Sequence, residues 1–195
     1  TDLRIYAGTY QKIIGGSVKN TIGETNVIVG GKVNENVDIS DHTFGYVLYG
    51  GCYSEGGTTK VSGDTHVTVE EGAKIRYIYG GGAKTGTPVP TVDGETYVTV
   101  KGGNIMSVFG GGYKIPCGNT NVKILGGTIE QVFGGSESAS ASGNTNIELL
   151  GGEITRRVYG GCYNDFSTST YKWVTTDCHV TGTTNVTIGP NAQIT

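Results

Sequence analysis

In TNVKI, Thr120, Val122 and Ile124 share one parity along the chain while Asn121 and Lys123 share the other, the period of two that marks a half-buried strand. The alternation recurs in GETNVIVGG at Gly23, GDTHVTVEEG at Gly63, GETYVTVKGG at Gly94 and GNTNIELLGG at Gly143, and in a diverged GTTNVTIGP at Gly182. Most of these blocks close on a glycine pair and lead into a second short apolar segment, such as TIEQVF or EITRRVY. That segment turns Ile129 and Val132, or Ile154 and Val158, toward an interior. No stretch has an apolar period of 3.6, and enrichment in Gly, Thr, Val and Tyr disfavours helix.

The second segment ends in an aromatic residue and a glycine turn: IYAG at Tyr6, LYGG at Tyr49, IYGG at Tyr79, VFGG at Phe109, VFGG at Phe133 and VYGG at Tyr159. These anchors recur at intervals of 43, 30, 30, 24 and 26 residues, so the insertions fall in loops. A unit this short buries its apolar face only against its neighbours. Stacking coils at about 4.8 Å satisfies the backbone between coils and sets equivalent side chains in ladders. The chain therefore reads as all-β, a parallel β-helix (β-solenoid) of about six coils, right-handed by the rule for parallel connections. A β-propeller needs blades of roughly 40 residues, longer than these units.

The strand and GG-turn units resemble those of right-handed parallel β-helix proteins of the pectin-lyase-like class and related repetitive bacterial surface modules. The resemblance covers most of the chain through this pattern and includes no catalytic signature. It implies an extracellular or cell-surface, carbohydrate-linked setting, within which such proteins serve as polysaccharide-binding modules, adhesive stalks, or polysaccharide lyases and glycosidases.

Composition narrows the partners. Glycine supplies 35 of 195 residues without the collagen triplet, and a net charge of −3 with no basic run argues against nucleic acid or an anionic membrane surface. No apolar run reaches the roughly 20 residues that cross a bilayer. Residues 1–195 read as a single repeat domain that starts and stops within repeat-like sequence, which predicts a module of a longer exported protein joined to neighbouring modules.

Candidate chemistry lies in the ladders. Tyr10, Tyr53, Tyr113 and Tyr163 each follow an anchor by four residues. Exposed on one edge, with the loop aromatics Tyr171 and Trp173, they would offer rings and hydroxyls to an extended glycan. The alternative is that they cover the glycine corners, while the anchor row itself reads as packing. Asn26, Asn121, Asn146 and Asn185, with His66 and Tyr97 in the same column, suit a ladder of stacked amides, and Thr25, Thr65, Thr96, Thr120, Thr145 and Thr184 have inward parity. That parity disfavours an exposed ice-binding array. Glu24, Asp64 and Glu95 recur at one position, and calcium is the ion such a set would take, although a solvated loop border is the simpler reading.

Cys52 and Cys162 share a small-residue position with Gly82, Gly112 and Ser136, and Cys162 and Cys178 flank the last loop as a predicted disulfide in an exported chain. His42, His66 and His179 are scattered, and no nucleophile elbow or phosphate loop is present. The nearest approach to a lyase pair is Asp64 or Glu95 with Arg76. The leading expectation is a non-catalytic extracellular polysaccharide-binding module. The alternatives are a structural or adhesive stalk and, behind it, a lyase or glycosidase.

Overall fold

The computed structural model describes residues 1–40, 45–55, 59–164 and 178–195, and contains no helix among them. Two parallel sheets of seven strands dominate it. The first stacks Asp2–Gly8, Thr25–Val33, Thr65–Val69, Thr96–Val100, Thr120–Ile124, Thr145–Leu149 and Thr184–Ile188. The second stacks Lys12–Ile14, Val47–Tyr49, Lys74–Tyr79, Asn104–Phe109, Thr128–Phe133, Glu153–Tyr159 and Gln193–Ile194. Each sheet follows chain order, so every coil gives one strand to each, which makes the molecule a parallel β-helix. A third side carries short ladders. One joins Thr21–Ile22, Lys60–Val61 and Thr91–Val92, and another joins Tyr53–Ser54 to Ala83–Lys84 and continues through Tyr113, Glu137 and Tyr163.

The period of two explains the first sheet. Thr96, Val98 and Val100 are buried while Tyr97 and Thr99 are only half-buried, and the same alternation holds in the strands stacked on either side. In the second sheet Ile129 and Val132 are both fully buried because two successive residues, Glu130 and Gln131, lie outside. The inward rows, among them Val67, Val98, Val122 and Ile147 from one sheet and Ile78, Val108 and Val132 from the other, form one continuous core. Five of the six predicted threonines are buried and brace it, whereas Thr184, in the last first-sheet strand, is exposed. The Oγ1 atoms of Thr25, Thr65, Thr96, Thr120 and Thr145 donate to the carbonyls of Gly50, Gly80, Gly110, Gly134 and Gly160 at 2.5–2.6 Å. Thr1 makes the same bond to Gly15 at 2.7 Å, a role that the sequence repeat does not announce.

The two glycine corners are glycine for different reasons. After the first sheet the chain turns through positive φ, as at Gly103 (94°), where a side chain would strain the backbone. After the second sheet φ is ordinary, but a Cβ on Gly80 would lie 2.3 Å from the carbonyl oxygen of Gly110 in the next coil. Close stacking of the coils requires its absence.

One repeat assignment is corrected. Tyr6 belongs to the first sheet, and Ile14 occupies the first-coil position in register with Tyr49. IYAG imitates the anchor motif in composition only; KIIGG, with its paired glycine, is the true first member. The long first interval of the aromatic row is a consequence, and Asp2–Gly8 adds a first-sheet strand ahead of the recognised blocks.

Candidate functional site

The aromatic anchors form a stack outside the aliphatic core. Tyr49, Tyr79, Phe109, Phe133 and Tyr159 lie with successive ring centroids 5.2, 5.0, 4.7 and 5.3 Å apart and planes within 13° of parallel. The first four are buried, and Tyr159 is exposed. Because the ring hydroxyl is dispensable to stacking, Tyr and Phe interchange along the row. Tyr79 uses its hydroxyl to donate to the buried Glu137 carboxylate, and burial raises its pKa well above the ordinary tyrosine value, with Glu137 adding to the shift.

The predicted glycan tyrosines do not form one exposed edge. Tyr53 is only 6% exposed, packed 5.6 Å from the Tyr49 ring with the Lys12 ammonium 3.8 Å above it. Tyr113 and Tyr163 are half-buried and tilt against Tyr79 and Phe133 at 5.8 and 4.9 Å. Tyr10 is exposed but lies off the row, since its apparent anchor Tyr6 is a first-sheet residue. On this side of the solenoid the ladder runs Tyr53, Ala83, Tyr113, Glu137, Tyr163. The tyrosines therefore alternate with other residues and recur every second coil, about 10 Å apart. Their rings cover the stack. Tyr171, Trp173 and His42 lie outside the described residues.

The outer face of the first sheet carries the predicted amide ladder. Asn185 donates to Asn146 at 2.9 Å, Asn146 to Asn121 at 3.1 Å, and Asn121 to Glu95 at 2.9 Å. Glu95 ends this run because a carboxylate only accepts. It also takes bonds from Asn119 at 2.9 Å and the Tyr97 hydroxyl at 3.0 Å, and these donors, Asn119 foremost, lower its pKa. The repeat position considered for calcium makes bonds between coils. Asp64, Asn119 and Asn144 each accept the backbone N–H of the next coil, from Glu95, Asn144 and Thr183, at 2.8 Å. Glu24 is exposed at the same position. Among the described residues no three His, Cys, Asp or Glu side chains are grouped to hold a metal. Asp64 and Glu95 border the first sheet while Arg76 is buried in the second, so the structure does not assemble the lyase pair considered from sequence.

A groove missed by the sequence crosses the outer face of the second sheet. Lys74, Asn104 and Thr128 occupy matched register in three successive coils and line a cavity of about 510 Å³ with Met106, Glu130 and Arg156. Its wall is the 37–40 segment, held down by Arg76, whose Nε donates to the Ile39 carbonyl at 3.0 Å. Met106, Glu130 and Arg156 also line an adjoining cavity of about 180 Å³ that reaches Tyr77, Glu137 and Tyr163. Arg156 Nη1 lies 2.7 Å from Glu130 Oε1, which sets an ion pair at the junction. Side chains between the buried Ile129 and Val132 gave one available signal, since two adjacent polar residues there must both face outward.

All four cysteines are free thiols. Cys52 and Cys117 are buried, and Cys162 and Cys178 are half-buried, with Cys162 Sγ 3.6 Å from the carbonyl oxygen of His179, the residue that follows Cys178. The pair predicted to bridge is thus brought together in the unbridged state.

Comparison of the chain with protein-family models, with curated proteins and with solved structures finds no match.

Proposed function

We propose that this chain is a non-catalytic polysaccharide-binding module of an exported or cell-surface protein, related in role to the pectin-lyase-like β-helices it resembles. The observation that carries this reading is the groove across the second sheet. Its two cavities meet at Met106, Glu130 and Arg156 and pass over register-matched residues of successive coils. A site built from coil after coil along the solenoid axis suits an extended polymer better than a compact metabolite. Its mixture of hydroxyl, amide, charged and apolar side chains suits the alternating C–H and O–H surface of sugars. Tyr163 borders the inner end, so part of the expected tyrosine contribution is retained while Tyr10 and Tyr53 drop out of the site. Retention of the purified protein on insoluble or immobilised polysaccharides, neutral and acidic, tests the proposal. Failure to bind any of them favours the stalk reading, in which the tyrosines only cover the aromatic stack.

One observation favours a catalytic reading in second place. Glu130, ion-paired with Arg156, and the buried Glu137, bonded to Tyr79, line the same small cavity. Two carboxyl groups in unlike surroundings are the requirement of glycoside hydrolysis. New reducing ends released from a bound polymer, and lost in E137Q, would move the protein to that class.

A further inference from the structure

Cys52 and Cys162 occupy the same slot after the second-sheet corner, and the solenoid treats them differently. Cys52 is wholly enclosed, and burial raises its pKa. Cys162 lies in the last complete coil, where the segment around Val180 provides the cover. Its sulfur is half-buried, 3.6 Å from the carbonyl oxygen of His179, the residue that follows Cys178. Ser140 holds that segment, its Oγ accepting from the His179 N–H at 3.3 Å and lying 3.2 Å from Nδ1 of the ring. The Ala141 N–H reinforces it by donating to the His179 carbonyl at 2.9 Å.

We infer that Cys162 and Cys178 form a thiol–disulfide exchange site in which Cys162 attacks and Cys178 resolves, the substrate being the disulfide of a small thiol. The Cys162 thiolate attacks one sulfur of that disulfide, forming a mixed disulfide and expelling one thiolate, which takes up a proton. Cys178 then loses its proton and attacks the Cys162 sulfur. An intrachain disulfide forms and the second small thiol leaves. The protein dithiol is oxidised by two electrons and the small disulfide is reduced to two thiols, so the exchange balances without another reagent.

The order of attack follows from the surroundings. The Cys178 thiol donates to the Cys162 sulfur and lowers its pKa to about 6, while Cys178 itself is raised by the same bond. The Ser136 backbone N–H and the nearby His179 also favour the Cys162 thiolate. Cys117, the other sulfur facing the pair, is buried, bonded by Ser136 Oγ at 3.2 Å and raised to about 11 by desolvation. A low-pKa thiolate is also a weaker nucleophile, by a Brønsted slope near 0.5. Balanced against its larger ionised fraction, Cys162 gains only about two- to three-fold over an ordinary thiol at pH 7 but about 10-fold at pH 6.

The decisive measurement is competition alkylation of the reduced protein at pH 6 with peptide-resolved mass spectrometry, followed by exposure to oxidised glutathione. Cys162 should be modified about 10-fold faster than a cysteine peptide. Wild type should pass through a Cys162 mixed disulfide to a Cys162–Cys178 bridge, and C178S should stop at the mixed disulfide. Faster labelling of Cys178, rates equal to the peptide at pH 6, or a bridge that involves Cys117 would overturn the assignment. The wild-type labelling needs no variant to fold.

Discussion

Thr120 Oγ1 donates to the carbonyl of Gly134 at 2.5 Å from within the core, tying the start of a first-sheet strand to the corner that ends the second-sheet strand of the same coil. Both groups are removed from water, so the bond matters most through what its absence leaves. Thr120→Val keeps the shape and orphans the carbonyl, and should lower unfolding free energy by about 1–3 kcal/mol in urea titration. Thr120→Ser keeps the donor and should lose less. A loss in Thr120→Ser with little or none in Thr120→Val would assign the effect to the methyl group instead.

The aromatic stack predicts a gradient along the solenoid. Phe109 is buried between Tyr79 and Phe133, at 5.0 and 4.7 Å. Phe109→Ala should cost about 3–5 kcal/mol, the range for a buried aromatic truncation. Tyr159 has a described stacking partner in Phe133 and is 46% exposed, so Tyr159→Ala should cost about 0.5–1.5 kcal/mol. Comparable thermal shifts for the two would contradict a stack whose contribution depends on burial.

Glu95 makes the fold acid-sensitive at a named place. Its pKa is lowered in the folded state by bonds from Asn119, Tyr97 and Asn121. A depressed folded value means that the stabilisation is complete above the unfolded carboxylate value near 4.5 and disappears as pH falls through the lower folded value. Glu95→Gln should therefore flatten the acid limb of the stability curve below about pH 4.5. Chemical denaturation at a series of pH values checks it, and an unchanged acid limb would place the sensitivity elsewhere.

The fold was legible because strand periodicity is a local property: the parity of Thr120, Val122 and Ile124 is set by the backbone and survives in the structure. Threonine and asparagine ladders followed from the same parity. The fate of the tyrosines did not, because a residue beyond the glycine corner faces solvent or the stack according to what the third side of the solenoid places over it. Tyr53 and Tyr113 hold equivalent ladder positions, yet Ala83 stands between them, a relation visible only once coils with unequal loops are aligned in space. The groove was hidden for a related reason. Lys74, Asn104 and Thr128 share no chemistry that would mark them as a row, and its wall comes from an insertion specific to one coil.

Ligand binding can be divided between the groove and the tyrosine cover. Thr128 is exposed in the groove and its side chain makes no contribution to the core, so Thr128→Trp should fill the cleft without unfolding the coil. Tyr113 lies outside both groove cavities, whereas Tyr163 borders the smaller one. On a polysaccharide that wild type retains, Thr128→Trp should abolish retention. Tyr163→Ala should weaken it by about 0.5–1.5 kcal/mol, the scale of one aromatic contact, and Tyr113→Ala should leave it unchanged. Retention should depend little on salt unless the polymer is acidic, in which case Lys74 and Arg156 supply a screened attraction. Affinity gels run with matched thermal melts separate lost binding from lost fold. If Tyr113→Ala and Tyr163→Ala weaken binding equally while Thr128→Trp has no effect, the polymer lies along the tyrosines and the groove assignment fails.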